Sequence, residues 1–156
     1  MIDHLEDVTA ADIMKSDVIT IKEEASVEEL AKLLVRKKIS GVPVVDDGNR
    51  VVGIVTEGDL VSADADIHFP HYIELLGNII YLESVKKYEE RLEKAAAVDV
   101  GEIMTRKVIT VQRDAPLDEV ATVMTDHRIN RVPVVDGDIL VGIITRADVV
   151  RAMARG

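Results

Sequence analysis

Hydrophobic and polar positions follow the same order in two blocks of the chain. Each block opens with a short apolar, β-branched run, residues 18–21 and 108–111, which predicts a strand. In the first block the capping-box sequence Ser26-Val27-Glu28-Glu29 comes next and begins a stretch with apolar residues at helical spacing. In the second block Pro116 stands in the predicted first turn of the helix, where a missing N–H costs little. Each block therefore predicts a strand followed by a helix.

The second half of each block predicts a strand pair and a closing helix. The turns between the paired strands contain Asp-Gly, which supplies the positive φ that tight hairpins need. Thr56 and Thr145 can cap the closing helices. Each block thus reads β-α-β-β-α, and its near-continuous Val and Ile runs indicate sheets that are buried on both faces. The predicted strand pairs cover residues 42–45 with 51–55 and residues 132–135 with 140–144.

The two blocks are copies of one another. At an offset of 90, Asp12-Ile13-Met14 falls on Glu102-Ile103-Met104, and six of the eight residues 39–46 are identical to their counterparts in 129–136. After one deletion, Gly53 to Asp59 matches Gly142 to Asp148. A unit of about 50–60 residues buries too little surface to be robust alone. We therefore expect the copies to pack on each other with pseudo-two-fold symmetry.

Residues 62–99 belong to neither copy. We expect a helix that starts at Pro70 and runs through Leu76, and a second, charged helix from Ser84 through Ala97. All aromatic residues of the chain lie in this insert. Two interpretations stay open: they pack the insert onto the repeats, or they contact another subunit, since aromatic residues favour interfaces. The aromatic residues are Phe69, Tyr72, Tyr81 and Tyr88.

Composition narrows the class of protein. Of the 156 residues, 47% are hydrophobic, which is enough for a real core. The chain carries 19 Lys and Arg against 29 Asp and Glu, a formal net charge of −10, which argues against nucleic-acid binding. It has no cysteine, which excludes disulfides and thiolate chemistry. The most apolar stretch, residues 72–82, is too short to span a bilayer, and no signal peptide is evident. We expect a soluble cytoplasmic protein.

The ordered set Asp-Ile-Met, Val-Ile-Thr, Val-Pro-Val-Val-Asp and Gly-Ile-Val-Thr-x-x-Asp, present twice, resembles a tandem pair of CBS domains, often called a Bateman module. The resemblance implies an α/β (α+β) fold with repeat one at 8–61, a helical insert at 62–99 and repeat two at 100–154. It also implies clefts between the repeats that bind AMP, ADP, ATP or S-adenosylmethionine. Such modules regulate an attached or associated protein, often in energy sensing, and pair into disc-like homodimers.

The Thr-x-x-Asp sequences are the main candidate sites. Each stands where a strand ends and a helix begins, and free N–H groups there favour an anion. A carboxylate only accepts hydrogen bonds, so it suits the two hydroxyls of a ribose. The resemblance assigns the ribose to Asp59 and Asp148 and the phosphate to Thr56 and Thr145. The alternative is structural: each Thr caps its helix and each Asp stabilises the first turn.

A second group of residues is assigned to the adenosine pocket by the same resemblance. Polar residues near the first strand and the adjacent main chain would meet the adenosine, while apolar side chains flank the base. The alternative for each Val is a position in the core. The residues are Val18, Thr20, Val42, Val108, Thr110 and Val132.

The copies diverge before the proline of the second strand. Copy two has Asn130 and Arg131, whereas copy one has Ser40 and Gly41. By resemblance to nucleotide-binding relatives, Asn130 and Arg131 contact phosphate, since a guanidinium matches phosphate geometry. We therefore expect two unequal sites and hypothesise that Arg131 serves a nucleotide whose ribose Asp59 holds. The alternative is a solvated charge, and the same two interpretations apply to a nearby basic group, Lys37, Lys38, His127 and Arg128.

No motif points to catalysis or to a metal. His68 and His71 are three residues apart, but Pro70 breaks the helical register between them. No P-loop, nucleophile elbow or His-Glu-x-x-His sequence is present. We expect a regulatory module that senses an adenosyl ligand and is not an enzyme. The rival hypothesis is a dimerising scaffold whose clefts are degenerate and bind no ligand.

Overall fold

The computed structural model describes residues 5–67, 72–75, 78–81 and 98–155, with side chains described for residues 6–63 and 98–155. A short 3-10 turn, Leu5–Asp7, precedes the first helix. The elements are α1 (Ala10–Ile13), α2 (Val27–Lys37), β1 (Gly41–Val45), β2 (Val51–Thr56), α3 (Glu57–Ile67), β3 (Tyr72–Leu75), β4 (Asn78–Tyr81), α4 (Val100–Ile103), β5 (Val111–Gln112), α5 (Leu117–Asp126), β6 (Arg131–Asp136), β7 (Ile139–Thr145) and α6 (Arg146–Arg155).

The predicted mixed α+β class is confirmed. Strands β1 and β2 form one pair, and β5, β6 and β7 form a three-stranded sheet in that order. In this sheet β5 is parallel to β6 and β7 is antiparallel to β6, with Arg131 opposite Thr145. All five residues of β1 are buried, as the Val-rich run predicts, whereas β2 and β7 alternate between more and less buried positions. Only the first strand of each pair is thus covered on both faces.

The chain divides into two compact units whose borders cross those of the repeats. The first unit comprises Met1–Thr20, Val45–Val52 and Lys107–Gly156, and the second comprises Ile21–Val44 and Gly53–Arg106. Each repeat therefore gives its N-terminal segment, which contains the Asp-Ile-Met or Glu-Ile-Met sequence, to the unit that holds most of the other repeat.

In the first unit the N-terminal segment of copy one is tied to copy two by backbone hydrogen bonds. The Ala10 N–H donates to the Ala115 carbonyl at 2.8 Å, and Lys15 exchanges two 2.9 Å bonds with Ile143 of β7. Met14 lies against Gly142, where a Cβ atom would stand 2.3 Å from the Met14 sulfur. Apolar burial completes this unit. Its core consists of Ala10, Val111, Ala115, Leu117, Val120, Met124, Val132, Val134, Ile144, Val149 and Ala152.

The second unit repeats this arrangement with the copies exchanged. The Val100 N–H donates to the Ala25 carbonyl at 2.8 Å, and Thr105 exchanges two 2.9 Å bonds with Ile54 of β2. Met104 lies against Gly53, where a Cβ would stand 2.5 Å from the sulfur. The missing side chain is what allows the methionine onto the strand. Buried apolar residues of this unit include Ile21, Val27, Leu30, Leu34, Val42, Val44, Val55, Val100 and Met104.

The long helices begin near the predicted positions. Ser26 forms the predicted capping box, accepting from the Glu29 N–H at 3.1 Å and donating its own N–H to the Glu29 carboxylate at 3.3 Å. Pro116 is the residue before the first turn of α5 rather than a member of it.

The ends of these helices account for the position of the basic group. Lys38 and Arg128 follow the last turns of α2 and α5 with φ of 55° and 52°, and both are exposed. Lys37 is the last residue of α2, and His127 follows the last residue of α5. Positive charge at a helix C-terminus interacts favourably with the helix dipole. The basic group of residues therefore lies at helix ends and is exposed to solvent.

The first predicted strand of each copy is wrong in extent. Within residues 18–21 only Ile21 pairs, through a parallel bridge to Val44, and β5 is confined to Val111 and Gln112. The cause is the preceding contact: Lys15 and Thr105 pair with β7 and β2, and the chain bends at the next two residues before it can reach the parallel neighbour.

The turns confirm the Asp-Gly prediction in copy two, where Gly137 has a φ of 68°. In copy one the positive φ falls on Asn49, at 61°, rather than on Gly48. Asn tolerates this conformation better than most residues, and its side-chain amide donates to the Leu140 carbonyl at 3.0 Å. This hydrogen bond fixes the position of the hairpin turn in the first unit.

The helix predicted from Pro70 through Leu76 is wrong. Tyr72–Leu75 and Asn78–Tyr81 form an antiparallel strand pair, with Tyr72 opposite Tyr81. The apolar residues there are largely β-branched or aromatic, which favours strands, and Gly77 lowers helix propensity. The second predicted helix, residues 84–97, lies outside the described residues, as do Phe69 and Tyr88. Both interpretations of the aromatic residues stay predictions.

The methionine–glycine contacts predict a ranked response to Gly→Ala. We expect Gly142→Ala to destabilise the fold by about 1–3 kcal/mol, because overpacking a filled site forces side chains to shift. The new Cβ would lie 2.7 Å from Met14 Cγ and 2.9 Å from Met14 Cβ, and the Cβ cannot move without the backbone. Gly53→Ala should cost less, because only the Met104 sulfur comes closer than 3.0 Å. Urea unfolding measures both.

The control is Gly48→Ala, since the nearest atom to its added Cβ would be at an ordinary 3.4 Å. A loss of stability for Gly48→Ala as large as that for Gly142→Ala would contradict the packing account.

Candidate functional site

The junction between β7 and α6 in the first unit holds a reciprocal cap. The Thr145 N–H and hydroxyl both donate to Asp148 Oδ2, at 2.9 and 3.0 Å, and the Asp148 N–H donates back to the Thr145 hydroxyl at 3.3 Å. The first helical N–H, that of Arg146, donates to the Asn130 carbonyl at 3.1 Å. Strand, turn and helix are thereby locked around one carboxylate.

The junction between β2 and α3 in the second unit has the same geometry. The Thr56 N–H and hydroxyl donate to Asp59 Oδ2 at 2.8 and 3.2 Å, and the Asp59 N–H donates to the Thr56 hydroxyl at 3.4 Å. The Glu57 N–H donates to the Ser40 carbonyl at 2.8 Å. Both Thr-Asp pairs therefore perform the capping role, and one carboxylate oxygen of each, Oδ1, is left for other partners.

The two junctions differ at this second oxygen. Asp148 Oδ1 accepts a short hydrogen bond from the Arg151 guanidinium, and Lys15 Nζ lies 4.0 Å away. The Asp148 side chain is only 4% exposed, whereas those of Lys15 and Arg151 are 62% and 54% exposed. No residue in the described part of the chain donates to Asp59 Oδ1, and Asp59 is partly buried. The second unit therefore holds the more available acceptor.

The environment of Asp148 favours its ionised form. Burial raises the pKa of this carboxyl, but the hydrogen bonds from the Thr145 N–H and hydroxyl and from Arg151, with the nearby charge of Lys15, outweigh burial. The pKa of Asp148 is consequently lowered from its ordinary value of 3.8. The carboxylate is charged throughout the neutral range.

The twelve predicted site residues are distributed unevenly between the two units. Nine of the twelve belong to the first unit, and only Val42, Thr56 and Asp59 belong to the second. Val42 and Val132 are 1% and 0% exposed and lie in the core, and their roles in a base pocket stay predictions. The members in the first unit are Val18, Thr20, Val108, Thr110, Asn130, Arg131, Val132, Thr145 and Asp148.

Arg131 lies beside the junction of its own unit, directly across the strand pair from Thr145. The hypothesis that Arg131 contacts the phosphate of a nucleotide whose ribose is held by Asp59 stays a prediction. Four residues are partly buried and lie outside any strand: Val18, Thr20, Val108 and Thr110. Their contact with an adenosine likewise stays a prediction.

Sequence reasoning missed Lys15 and Arg151 as neighbours of the Asp148 carboxylate. The signal was available from the copies themselves: Lys15 aligns with Thr105, and Arg151 aligns with Ser62. Where one copy has a basic residue and the other copy has a neutral residue at the aligned position, the two sites differ in charge.

No group of three or more potential metal ligands occurs among residues 6–63 and 98–155, the part of the chain whose side chains are described. His68 and His71 fall outside that part. No helix in the described ranges is long and apolar enough to cross a membrane.

The sequence matches a protein-family model, that of the CBS domain, at residues 10–66 and again at residues 100–155. An uncharacterized protein of Methanocaldococcus jannaschii is 33% identical over 152 residues, covering 91% of this chain and 89% of that protein. The chloroplastic CBS domain-containing protein CBSX2 of Arabidopsis thaliana is 31% identical over 149 residues, which is 92% of this chain. This chain spans 63% of CBSX2, so it matches less than two thirds of that relative.

Solved structures agree with these matches. The crystal structure of CBSX2 in complex with AMP superposes with a TM-score of 0.71 at 29% identity, covering 94% of this chain and 96% of that one. The CBS domain pair of the protein MJ0100, in complex with 5′-methylthioadenosine and S-adenosyl-L-methionine, gives 0.69 at 32% identity, covering 95% and 97%.

The pKa of Asp148 predicts a pH-dependent contribution to stability. A group whose pKa is lower in the folded chain than in the unfolded chain stabilises the fold above the unfolded value and stops doing so as pH falls through the folded value. We expect Asp148→Asn to cost roughly 1–3 kcal/mol at pH 7, because it weakens charge-assisted hydrogen bonds. The difference from the unmutated chain should shrink below pH 3.8.

Urea unfolding at a series of pH values measures this difference. Asp138→Asn, on the exposed hairpin turn, is the matched control and should show no such trend. A cost of Asp148→Asn that stays constant from pH 7 to pH 2 would contradict the assignment.

Proposed function

Because this chain belongs to the CBS domain family and carries two copies of the domain, we propose that it is a regulatory module that binds an adenosyl ligand at its Thr-Asp junctions. AMP, ADP, ATP and S-adenosylmethionine are the candidate ligands. The observation that carries the proposal is Asp59, whose Oδ2 is fixed by Thr56 while Oδ1 has no partner among the described residues. The complexes of CBSX2 with AMP and of MJ0100 with methylthioadenosine and S-adenosylmethionine support this ligand class.

The Thr56–Asp59 junction provides a hydrogen-bond acceptor for the hydroxyls of a ribose. An ionised carboxylate only accepts hydrogen bonds, and two neighbouring hydroxyls can both donate to it. The cap holds Asp59 in one orientation before any ligand arrives, so little conformational entropy is lost on binding. The positive end of the α3 dipole lies at the same place, where it interacts favourably with the negatively charged side chain of Asp59.

Binding at such a site regulates only if the chain has two states. A ligand shifts a conformational equilibrium by no more than its difference in affinity for the two states. We propose that the occupied state changes how the module packs with a second copy or with an effector protein. No group in this account performs catalysis, and we propose that the chain is not an enzyme.

Some relatives that contain this module are enzymes. The L-aspartate semialdehyde sulfurtransferase of Methanocaldococcus jannaschii is 35% identical over 141 residues, but this chain covers only 22% of it. The match thus falls on a small part of that enzyme, which fits a regulatory rather than a catalytic segment.

A scaffold that binds no ligand is the second candidate. The observation in its favour is Asp148, whose two carboxylate oxygens both have partners within the chain. If the Asp59 junction is closed in the same way by residues outside the described part, neither site would accept a ribose.

Calorimetric titration separates the two functions. We expect AMP, ATP or S-adenosylmethionine to bind the unmutated chain, and Asp59→Asn to weaken binding at the second unit about 10- to 100-fold, because a charge-assisted acceptor is lost. Asn keeps an oxygen that can accept from the Thr56 N–H, so the cap survives. A ligand at 100 times its Kd should also stabilise the fold by about 2.7 kcal/mol.

Asp138→Asn, which removes the same charge from an exposed turn, should bind as the unmutated chain does. Absence of heat with all three ligands, together with an unchanged Tm, would favour the scaffold.

We also propose that the chain forms a homodimer through its closing helices. Val61 on α3 and Val150 on α6 occupy equivalent positions in the two copies and are 74% and 63% exposed. Apolar side chains that are exposed at the same position of both copies are our ground for placing the interface on these helices. Met153, also on α6, is 56% exposed.

Sedimentation velocity tests this proposal. We expect a dimer for the unmutated chain and a monomer for Val150→Glu, because a buried interface does not tolerate an unpaired charge. Val35→Glu on α2, where the valine is 49% exposed, should remain dimeric. A monomeric unmutated chain, or dimers for both variants, would contradict the use of α6.

A further inference from the structure

The charge around the two junctions is opposite in sign. In the first unit Arg151 and Lys15 surround Asp148 Oδ1, Arg131 lies across the strand pair from Thr145, and Arg146 begins the helix. Two cations thus lie at one carboxylate oxygen, and two more belong to residues that flank the same strand-to-helix junction. Such a cluster is suited to an anion with several acceptor oxygens.

The equivalent positions of the second unit carry none of these cations. Lys15 is replaced by Thr105, Arg151 by Ser62, Arg131 by Gly41 and Arg146 by Glu57. The equivalence is structural as well as sequential, because Thr105 bridges to Ile54 as Lys15 bridges to Ile143. The Asp59 junction is therefore acidic, with Glu57 as a second carboxylate in the same helical turn.

A cation that does lie near this region is already engaged. Arg106 follows Thr105, and its guanidinium is bonded to the Glu23 carboxylate at 3.2 Å and to the Gly101 carbonyl at 3.1 Å. The guanidinium of Arg106 is thus engaged by Glu23 and by the backbone.

From this contrast we propose that the two junctions bind adenosyl ligands of different charge. The Thr145–Asp148 junction takes a phosphate-bearing nucleotide such as AMP. The Thr56–Asp59 junction takes an adenosyl compound without phosphate, such as 5′-methylthioadenosine or S-adenosylmethionine. The inference rests on the proposed adenosyl-binding function and adds which class each junction selects.

Arg151 supplies the means of selection at the first junction. Its guanidinium donates to Asp148 Oδ1 and therefore competes with a ribose hydroxyl for that oxygen. Its side chain is 54% exposed and can rotate toward an incoming phosphate. When the phosphate takes over the guanidinium, Oδ1 becomes available to the ribose hydroxyls. A ligand without phosphate offers the guanidinium no such exchange.

At the second junction the selection works by repulsion. A phosphate brought to Asp59 would stand near two carboxylates, and the positions equivalent to the four cations of the first junction carry none. Like charges disfavour one another at short range. A neutral methylthio group or a sulfonium meets no such penalty, and Asp59 Oδ1 is free of described partners to accept the ribose. The two copies therefore differ in ligand class as well as in affinity.

Isothermal titration with AMP and 5′-methylthioadenosine tests the proposal on the full chain. We expect one molecule of each per chain, and the affinity for AMP should be unchanged when methylthioadenosine is saturating. Asp148→Asn should weaken the binding of AMP but not that of methylthioadenosine. Asp59→Asn should weaken the binding of methylthioadenosine but not that of AMP.

The decisive variant exchanges the residues of one junction for those of the other. In Lys15→Thr/Arg151→Ser we expect AMP to bind at least 10-fold more weakly, while the stoichiometry of methylthioadenosine rises from one to two because Asp148 Oδ1 is released. The matched control is Lys32→Thr/Arg155→Ser, which removes two exposed cations away from the junctions and should change neither ligand. Circular dichroism melting verifies that both variants fold.

The possible failures are distinguishable. If the two ligands compete for one site, or if Lys15→Thr/Arg151→Ser binds AMP as tightly as the control does, the division by charge is wrong and the proposed adenosyl-binding function stands. If neither ligand binds the unmutated chain, both the division and the proposed function are wrong.

Discussion

The reciprocal cap between a threonine and an aspartate governs the candidate chemistry of this protein. At each strand-to-helix junction the N–H and the hydroxyl of the threonine both donate to one carboxylate oxygen of the aspartate. The aspartate N–H in turn donates to the threonine hydroxyl oxygen. This arrangement fixes the direction of the second oxygen without occupying it. What each junction can bind is then decided by the residues that surround that second oxygen, and these differ between the copies.

The exchange of N-terminal segments explains how such a difference arises in a duplicated chain. Lys15 belongs to copy one, yet it approaches Asp148 of copy two, because the segment that carries it pairs with β7 in the first unit. The segment is held there by backbone pairing and by Met14 on Gly142. Each junction therefore draws on both copies, and one substitution in either copy changes the charge of a single junction.

The sequence was sufficient for the elements whose determinants are local. The capping box at Ser26, the hairpin turn at Gly137 and the Thr-Asp junctions all depend on residues within four positions of one another. The approach of Lys15 to Asp148 was not predicted, because it depends on pairing between Lys15 and Ile143, which are more than 100 positions apart. Arg151 is only three positions from Asp148, and its signal is the contrast with Ser62 at the equivalent position of the other copy. The β3–β4 pair was not predicted because Pro70 is a typical first residue of a helix, whereas the β-branched and aromatic residues that follow it favour strands.

A crystal structure of the full chain grown with 5′-methylthioadenosine tests the central claim most directly, because the claim concerns one oxygen atom. The account predicts that both ribose hydroxyls lie within hydrogen-bonding distance of the Asp59 carboxylate, with the Thr56 cap intact. A ligand bound elsewhere, or an Asp59 carboxylate turned away from the ribose, would contradict it.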